Sequence, residues 1–214
     1  MSSCLEATIT GFNTFLADQK KQTGMARFTL ALFDYRYEVP YASVPIEEVT
    51  DLNTRTFVPR GSTALLDAVC RTIDQMGQRF AAQPVDDRAA QVIVAILTDG
   101  FENASHRFTW KDVSARIQHQ TEVYKWVFLF LGANEDAIAT AAKMNISAAN
   151  SSSYVADAVG SHAVFSSKSR KLSALRKMSQ GTATAADVQL SATPLSDLVA
   201  EDDRSERGDS KKGV

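Results

Sequence analysis

Two stretches of the sequence carry residue types that could do chemistry: "PRGSTALLDAV", which contains Thr63, and "VAILTDGFENAS", which contains Asp99. A hydroxyl and a carboxylate converging on one crevice suit a hard cation. Magnesium takes oxygen ligands at about 2.0–2.1 Å in near-octahedral geometry and usually keeps several waters. Each residue also has a plain structural use. A threonine ahead of an apolar helix is commonly its cap, and a Thr-Asp-Gly triplet after an apolar run is commonly a turn. Glu102, just past the triplet, could act as a general base, although a solvated loop carboxylate is the simpler reading. The three histidines, His106, His119 and His162, show no metal-ligand spacing. The chain has no GxxxxGK[ST] phosphate loop, no GxGxxG after a strand and no GxSxG nucleophile elbow.

The elements that must position Thr63 and Asp99 follow from periodicity. Val92 to Leu97 is a continuous apolar run that predicts a buried parallel strand, with Asp99 just past its C-terminal end. Leu65, Leu66, Val69, Ile73 and Met76 form one helical stripe, for which Ser62 or Thr63 is the expected cap. Leu5, Ile9, Phe12 and Leu16 predict a helix almost from the first residue, with Ser3 and Glu6 in a capping-box arrangement. Phe28 to Phe33 reads as a buried strand, and "DYRYEVPY" as its hairpin partner, stopped by Pro40. Further on, a helix over Thr109 to Gln120 is entered through Thr109 and Asp112. A strand begins at Trp126, a helix covers Glu135 to Met144, and "SSSYVA" gives a short last strand. Trp110 and Trp126 read as core.

A helix over Ala158 to Ser179 carries Lys168, Arg170, Lys171, Arg176 and Lys177, read as a solvated face. From Thr182 onward aromatics vanish, which predicts a disordered tail. The Arg207–Asp209 "RGD" is read as a chance match within it. The expected organisation is a domain over residues 1–158, a C-terminal helix over 159–181 and a tail over 182–214. Strands alternating with helices predict an α/β fold with a doubly wound, mostly parallel sheet, whose ligands sit outside the carboxyl ends of the strands.

Composition narrows the function classes. The 214 residues are 44% apolar and 22% charged, with a formal net charge of -2, which gives no support to nucleic-acid or anionic-membrane binding. Two cysteines, Cys4 and Cys70, are too few for a disulfide framework and read as small buried groups in a reducing cytoplasm. No apolar run reaches membrane-spanning length, and the N-terminus lacks the layout of a signal peptide.

Taken together, "PRGSTALLDAV", "VAILTDGFENAS", "TITGFNTFL" and "FLFLGAN" resemble the von Willebrand factor type A (VWA) domain, of the bacterial intracellular type. The resemblance covers roughly Met1 to Ala158 and implies a Rossmann-like sheet wrapped by helices. It also implies a metal-ion-dependent adhesion site for Mg2+ or Mn2+. A Thr at the position of Thr63 would coordinate the ion, and an Asp at the position of Asp99 would support it directly or through water. An acidic group from a protein partner would complete the shell.

The family's first strand and its Asp-x-Ser-x-Ser motif, which precede the first helix, have no counterpart from Met1 onward. Ser2 and Ser3 lie past the motif and are not promoted to ligands. Met1 falls where the family often has a Met running into that helix, so an internal start assignment is the expected explanation. The alternatives are a true truncation, or a missing strand donated by a partner or a second copy.

The function expected from this resemblance is a protein-binding module, not an enzyme. Its metal site is incomplete as written, with cation affinity weak or absent. The rival readings are a metal-dependent phosphoryl-transfer or hydrolytic enzyme on a similar fold, and a remnant without independent function.

Overall fold

A computed structural model describes residues 4–133 and 136–210. The chain folds as α/β. A three-stranded parallel sheet lies between helices in a Rossmann-like arrangement, beside a separate antiparallel hairpin.

Helix α1 spans Leu5–Lys21 and turns Thr8, Gly11, Phe12, Phe15, Leu16 and Gln19 inward. Phe12 and Leu16 were on the expected stripe, whereas Leu5 and Ile9 sit at its half-buried margin. The N-cap is Cys4, with no side-chain cap, and the capping box expected of Ser3 lies outside the described residues.

Strands β1 (Arg27–Phe33) and β2 (Tyr37–Pro45) pair antiparallel. Pro40 does not stop β2 as expected. The register shifts between Leu30↔Tyr41 and Leu32↔Glu38, which places Pro40 in a bulge, where a missing N–H is tolerated.

Helix α2 (Leu65–Ala81) buries Leu65, Leu66, Val69 and Ile73, as its stripe predicts. Strand β3 spans Ile93–Thr98, helix α3 Trp110–Tyr124, strand β4 Val127–Gly132, helix α4 Ala137–Lys143 and strand β5 Ser151–Ser153. The expected Thr109–Asp112 capping box is formed at the start of α3. β3, β4 and β5 are parallel neighbours in that order, with Ile93 opposite Val127 and Phe130 opposite Ser151. An apolar cluster from α2, α3 and α4 covers one face of this sheet. A second cluster, from α1 and the C-terminal helices, covers the other.

The C-terminal region departs from the sequence reading in three respects. Helix α5 (Ala158–Ser179) packs along α1 so closely that a Cβ at Gly11 would come within 2.4 Å of the Phe165 ring, so the boundary drawn near residue 158 separates no packing unit. Its basic residues are not a solvated face. Lys168 and Lys171 are buried, and Arg170, Arg176 and Lys177 are half-buried.

The Lys171 ammonium donates to the Thr193 carbonyl at 2.6 Å, and Lys168 lies over the rings of Phe15 and Phe165, 4.1 Å from each centroid. Burial lowers the Lys168 pKa to about 7.

The supposed tail forms α6 (Ala185–Ala192) and α7 (Leu195–Ser210). Leu195, Leu198 and Val199 are buried, and ion pairs Lys177–Asp187, Arg170–Glu201 and Arg207–Asp157 tie these helices down. A short apolar seam plus paired charges suffices here, and composition averages it away.

Candidate functional site

Thr63 meets the turn that follows Asp99, at the carboxyl end of β3. A Cβ built on Gly100 would stand 2.5 Å from the Thr63 hydroxyl oxygen, so only glycine lets the turn after Asp99 approach Thr63 this closely. The contact is reinforced across the crevice. The Thr63 N–H donates to Asn103 Oδ1 at 2.9 Å, and the Asn103 N–H donates back to the Thr63 carbonyl at 3.1 Å. Asp99 itself is exposed.

Neither Ser62 nor Thr63 caps α2. The N-cap is Ala64, whose side chain cannot accept a hydrogen bond, and the first amides of the helix are satisfied from another loop. Glu102 accepts from the Leu66 N–H at 3.0 Å, and Ser105 Oγ accepts from the Asp67 N–H at 3.1 Å. Glu102 also accepts from the Ala104 and Ser105 amides and the Ser105 hydroxyl at 2.7–3.0 Å. It is therefore a structural clamp, neither a free general base nor a solvated carboxylate.

Asp67 completes the lock by accepting from the His106, Arg107 and Phe108 amides at 3.0–3.1 Å. Burial alone would raise its pKa. The three amide donors outweigh that and hold it below the ordinary value.

The crevice has a second carboxylate that sequence reasoning missed. Asp34 follows β1 and is buried; its carboxylate accepts from the Arg36 amide at 2.6 Å and pairs closely with Arg60, which also reaches Glu38. Burial pushes its pKa up, but the Arg36 amide and the Arg60 guanidinium leave it lowered overall. Its carbonyl accepts from the Ala64 N–H at 2.8 Å. The loop through residues 63 and 64 thus bridges the carboxyl ends of β1 and β3. The only advance signal was a charged residue directly after an apolar run.

These donors do not compose a magnesium site by themselves. Asp34, Asp67 and Glu102 are each committed to amides or to arginine, whereas a magnesium shell takes six oxygens. Among the described residues no group of three or more His, Cys, Asp or Glu side chains is placed to hold a metal ion.

Beside the crevice, a cavity of about 320 Å³ opens between the ends of β3 and β4. Thr98, Phe101, Trp110, Phe130, Asp136 and Lys143 line it. Trp110, expected in the core, is half-buried here, with the Lys143 ammonium 5.4 Å from its ring centroid, while Trp126 is buried as expected. Phe101 is 60% exposed.

The remaining candidates are structural. His162 faces Glu206 at 3.3 Å, and His119 meets the Tyr124 ring. Cys70 is buried, and burial pushes its thiol up to about 12. Cys4 is half-buried and donates to the Ala156 carbonyl at 3.1 Å. Arg207, of the "RGD" triplet, pairs with Asp157 at the start of α5 and with Asp203 on α7.

The chain matches no family model, no curated protein and no solved structure. Among the described residues no helix is long and apolar enough to cross a membrane.

Proposed function

We propose that this chain is a VWA-like protein-binding module that engages a protein partner at the rim formed by the carboxyl ends of β3 and β4. The order of elements supports the VWA-like reading. A helix is followed by an antiparallel hairpin, a second helix and three parallel strands alternating with helices. The observation that carries the binding reading is Phe101, a large aromatic held 60% exposed between Asp99 and the cavity. Exposed aromatics over a preformed pocket with a charged margin are what interface anchors look like.

Lys143 supplies a cation for an acidic residue of the partner, and Phe101 and Trp110 supply apolar contact. Because Asp34, Asp67 and Glu102 are held by amides and by arginine, binding proceeds without a divalent cation held by this chain.

The test is to place a photo-crosslinking phenylalanine analogue at position 101 in the cell that makes the protein. One discrete crosslinked protein is expected, with a yield that a chelator does not change. Lys143→Glu should reduce it about tenfold, the scale of a lost charge pair. Absence of a discrete crosslink sinks the rim as an interface, and loss of the crosslink with chelator sinks the metal-independent mechanism.

A further inference from the structure

Gln19 lies at the seam between α1 and α5, only 2% exposed, and its neighbours fix which way its amide points. Arg176, which can only donate, bonds to Gln19 Oε1 at 3.2 Å, so Nε2 is the end turned toward the serines of α5. That nitrogen donates to the Ser169 hydroxyl oxygen at 3.2 Å and to the Ser173 hydroxyl oxygen at 3.1 Å. A hydroxyl that accepts from an amide must aim its own proton elsewhere.

In a helix that proton commonly turns back onto the preceding turn. Ser167 donates to the Ala163 carbonyl at 2.8 Å in this way, and Ser179 to the Arg176 carbonyl at 2.9 Å. Ser169 and Ser173 do not. Among the described residues neither hydroxyl has an acceptor for its proton, although Ser169 is only 5% exposed. Both serines line a cavity of about 310 Å³ between α1, α5 and α6.

Lys21, Arg170 and Lys177 line the same cavity, together with Asp18 and Asp187. The two carboxylates are already engaged. Asp18 pairs with Lys21 at 3.1 Å, and Asp187 meets Lys177 at 2.8 Å and the Thr184 hydroxyl at 2.7 Å. Each ammonium keeps further N–H donors, since it carries three. Three cations less two carboxylates leave the lining a formal charge of +1. Arg170 is also paired outside the cavity with Glu201 and Asp202. That balance suits one negative charge and does not offset two.

We propose that this groove binds a small monocarboxylate, its two oxygens meeting the Ser169 and Ser173 hydroxyls and its charge offset by Lys21 and Lys177. Both hydroxyl oxygens lie within 3.2 Å of one nitrogen, close enough together for a single carboxylate to span. Hydrogen bonds from a hydroxyl to an ionised carboxylate are the short, strong kind. The volume is at the small end for ligand cavities, and Leu190 supplies an apolar wall, so the occupant is a short acid. The groove does not depend on the rim reading.

The test titrates the full chain with acetate at constant ionic strength and follows backbone amide resonances. Saturable shifts are expected at Gln19, Ser169, Ser173 and Lys177. Phosphate dianion and chloride should bind at least about tenfold more weakly.

Ser173→Ala should weaken acetate about tenfold, and Ser173→Thr, which keeps the hydroxyl, should restore it. The unfolding midpoint of Ser173→Ala should stay in place, because Gln19 keeps its acceptors on Ser169. Gln19→Glu accepts where the amide donated, turns both hydroxyl protons inward and should abolish binding. The site is overturned if acetate gives no saturable shift in the wild-type chain, or if phosphate or chloride binds equally well. Unchanged acetate affinity in Ser173→Ala or in Gln19→Glu also overturns it.

Discussion

β4 and β1 are built from the same kind of residue and end in different environments. β4 lies between two parallel neighbours and buries Phe128, Leu129, Phe130, Leu131 and Gly132. Among the described residues β1 has one neighbour and leaves every apolar residue half-buried, although its side chains reach the same two helical layers. Side-chain hydrophobicity is therefore not what separates them. The difference is lateral, since a strand is sealed by its backbone partners as much as by what lies above and below it.

The largest test of this contrast is truncation in β4. Phe130→Ala should cost about 3–5 kcal/mol, the range for truncating a buried aromatic side chain. Leu30→Ala in β1 should cost only about 1–2 kcal/mol, because less surface leaves the core. Both can be read from urea midpoints, and equal losses would erase the distinction between the two strands.

The crevice loop joins the two regions and should give an intermediate effect. Glu102→Ala removes the acceptor shared by Leu66, Ala104 and Ser105 and should cost about 1–3 kcal/mol, since it orphans amides at a helix start. Amide exchange should then accelerate in the first turn of α2 while β4 stays protected. If exchange rises uniformly instead, the loop is not a local clamp.

The smallest expected effect is a pH dependence. Asp67 is ionised more readily in the folded state than in the unfolded chain, because three amides favour its charged form. Its contribution is complete above the unfolded value of about 3.9 and is lost as pH falls through the lower folded value. Asp67→Asn should therefore lower stability at neutral pH and flatten the acid limb of the stability curve. An unchanged acid limb would show that these amide bonds do not favour the carboxylate over the acid.

The sequence by itself determined most of the elements. Period-two and period-3.6 patterns place β1, α2, β3, α3, β4 and α5 within a few residues of where they lie, because burial of one face writes itself into spacing. The approach of the Thr63 loop to the turn at Gly100 was also legible, since strand ends and helix starts converge in a parallel α/β layer. Tertiary structure decided the rest. Whether Glu102 is solvated or clamps α2, whether Lys171 faces water or the Thr193 carbonyl, and whether residues 185–210 fold against α5 depend on partners distant in sequence. Whether an apolar strand is sealed or left half-open depends on the strand beside it. No local pattern records that neighbour, because backbone hydrogen bonding is the same for every residue except proline.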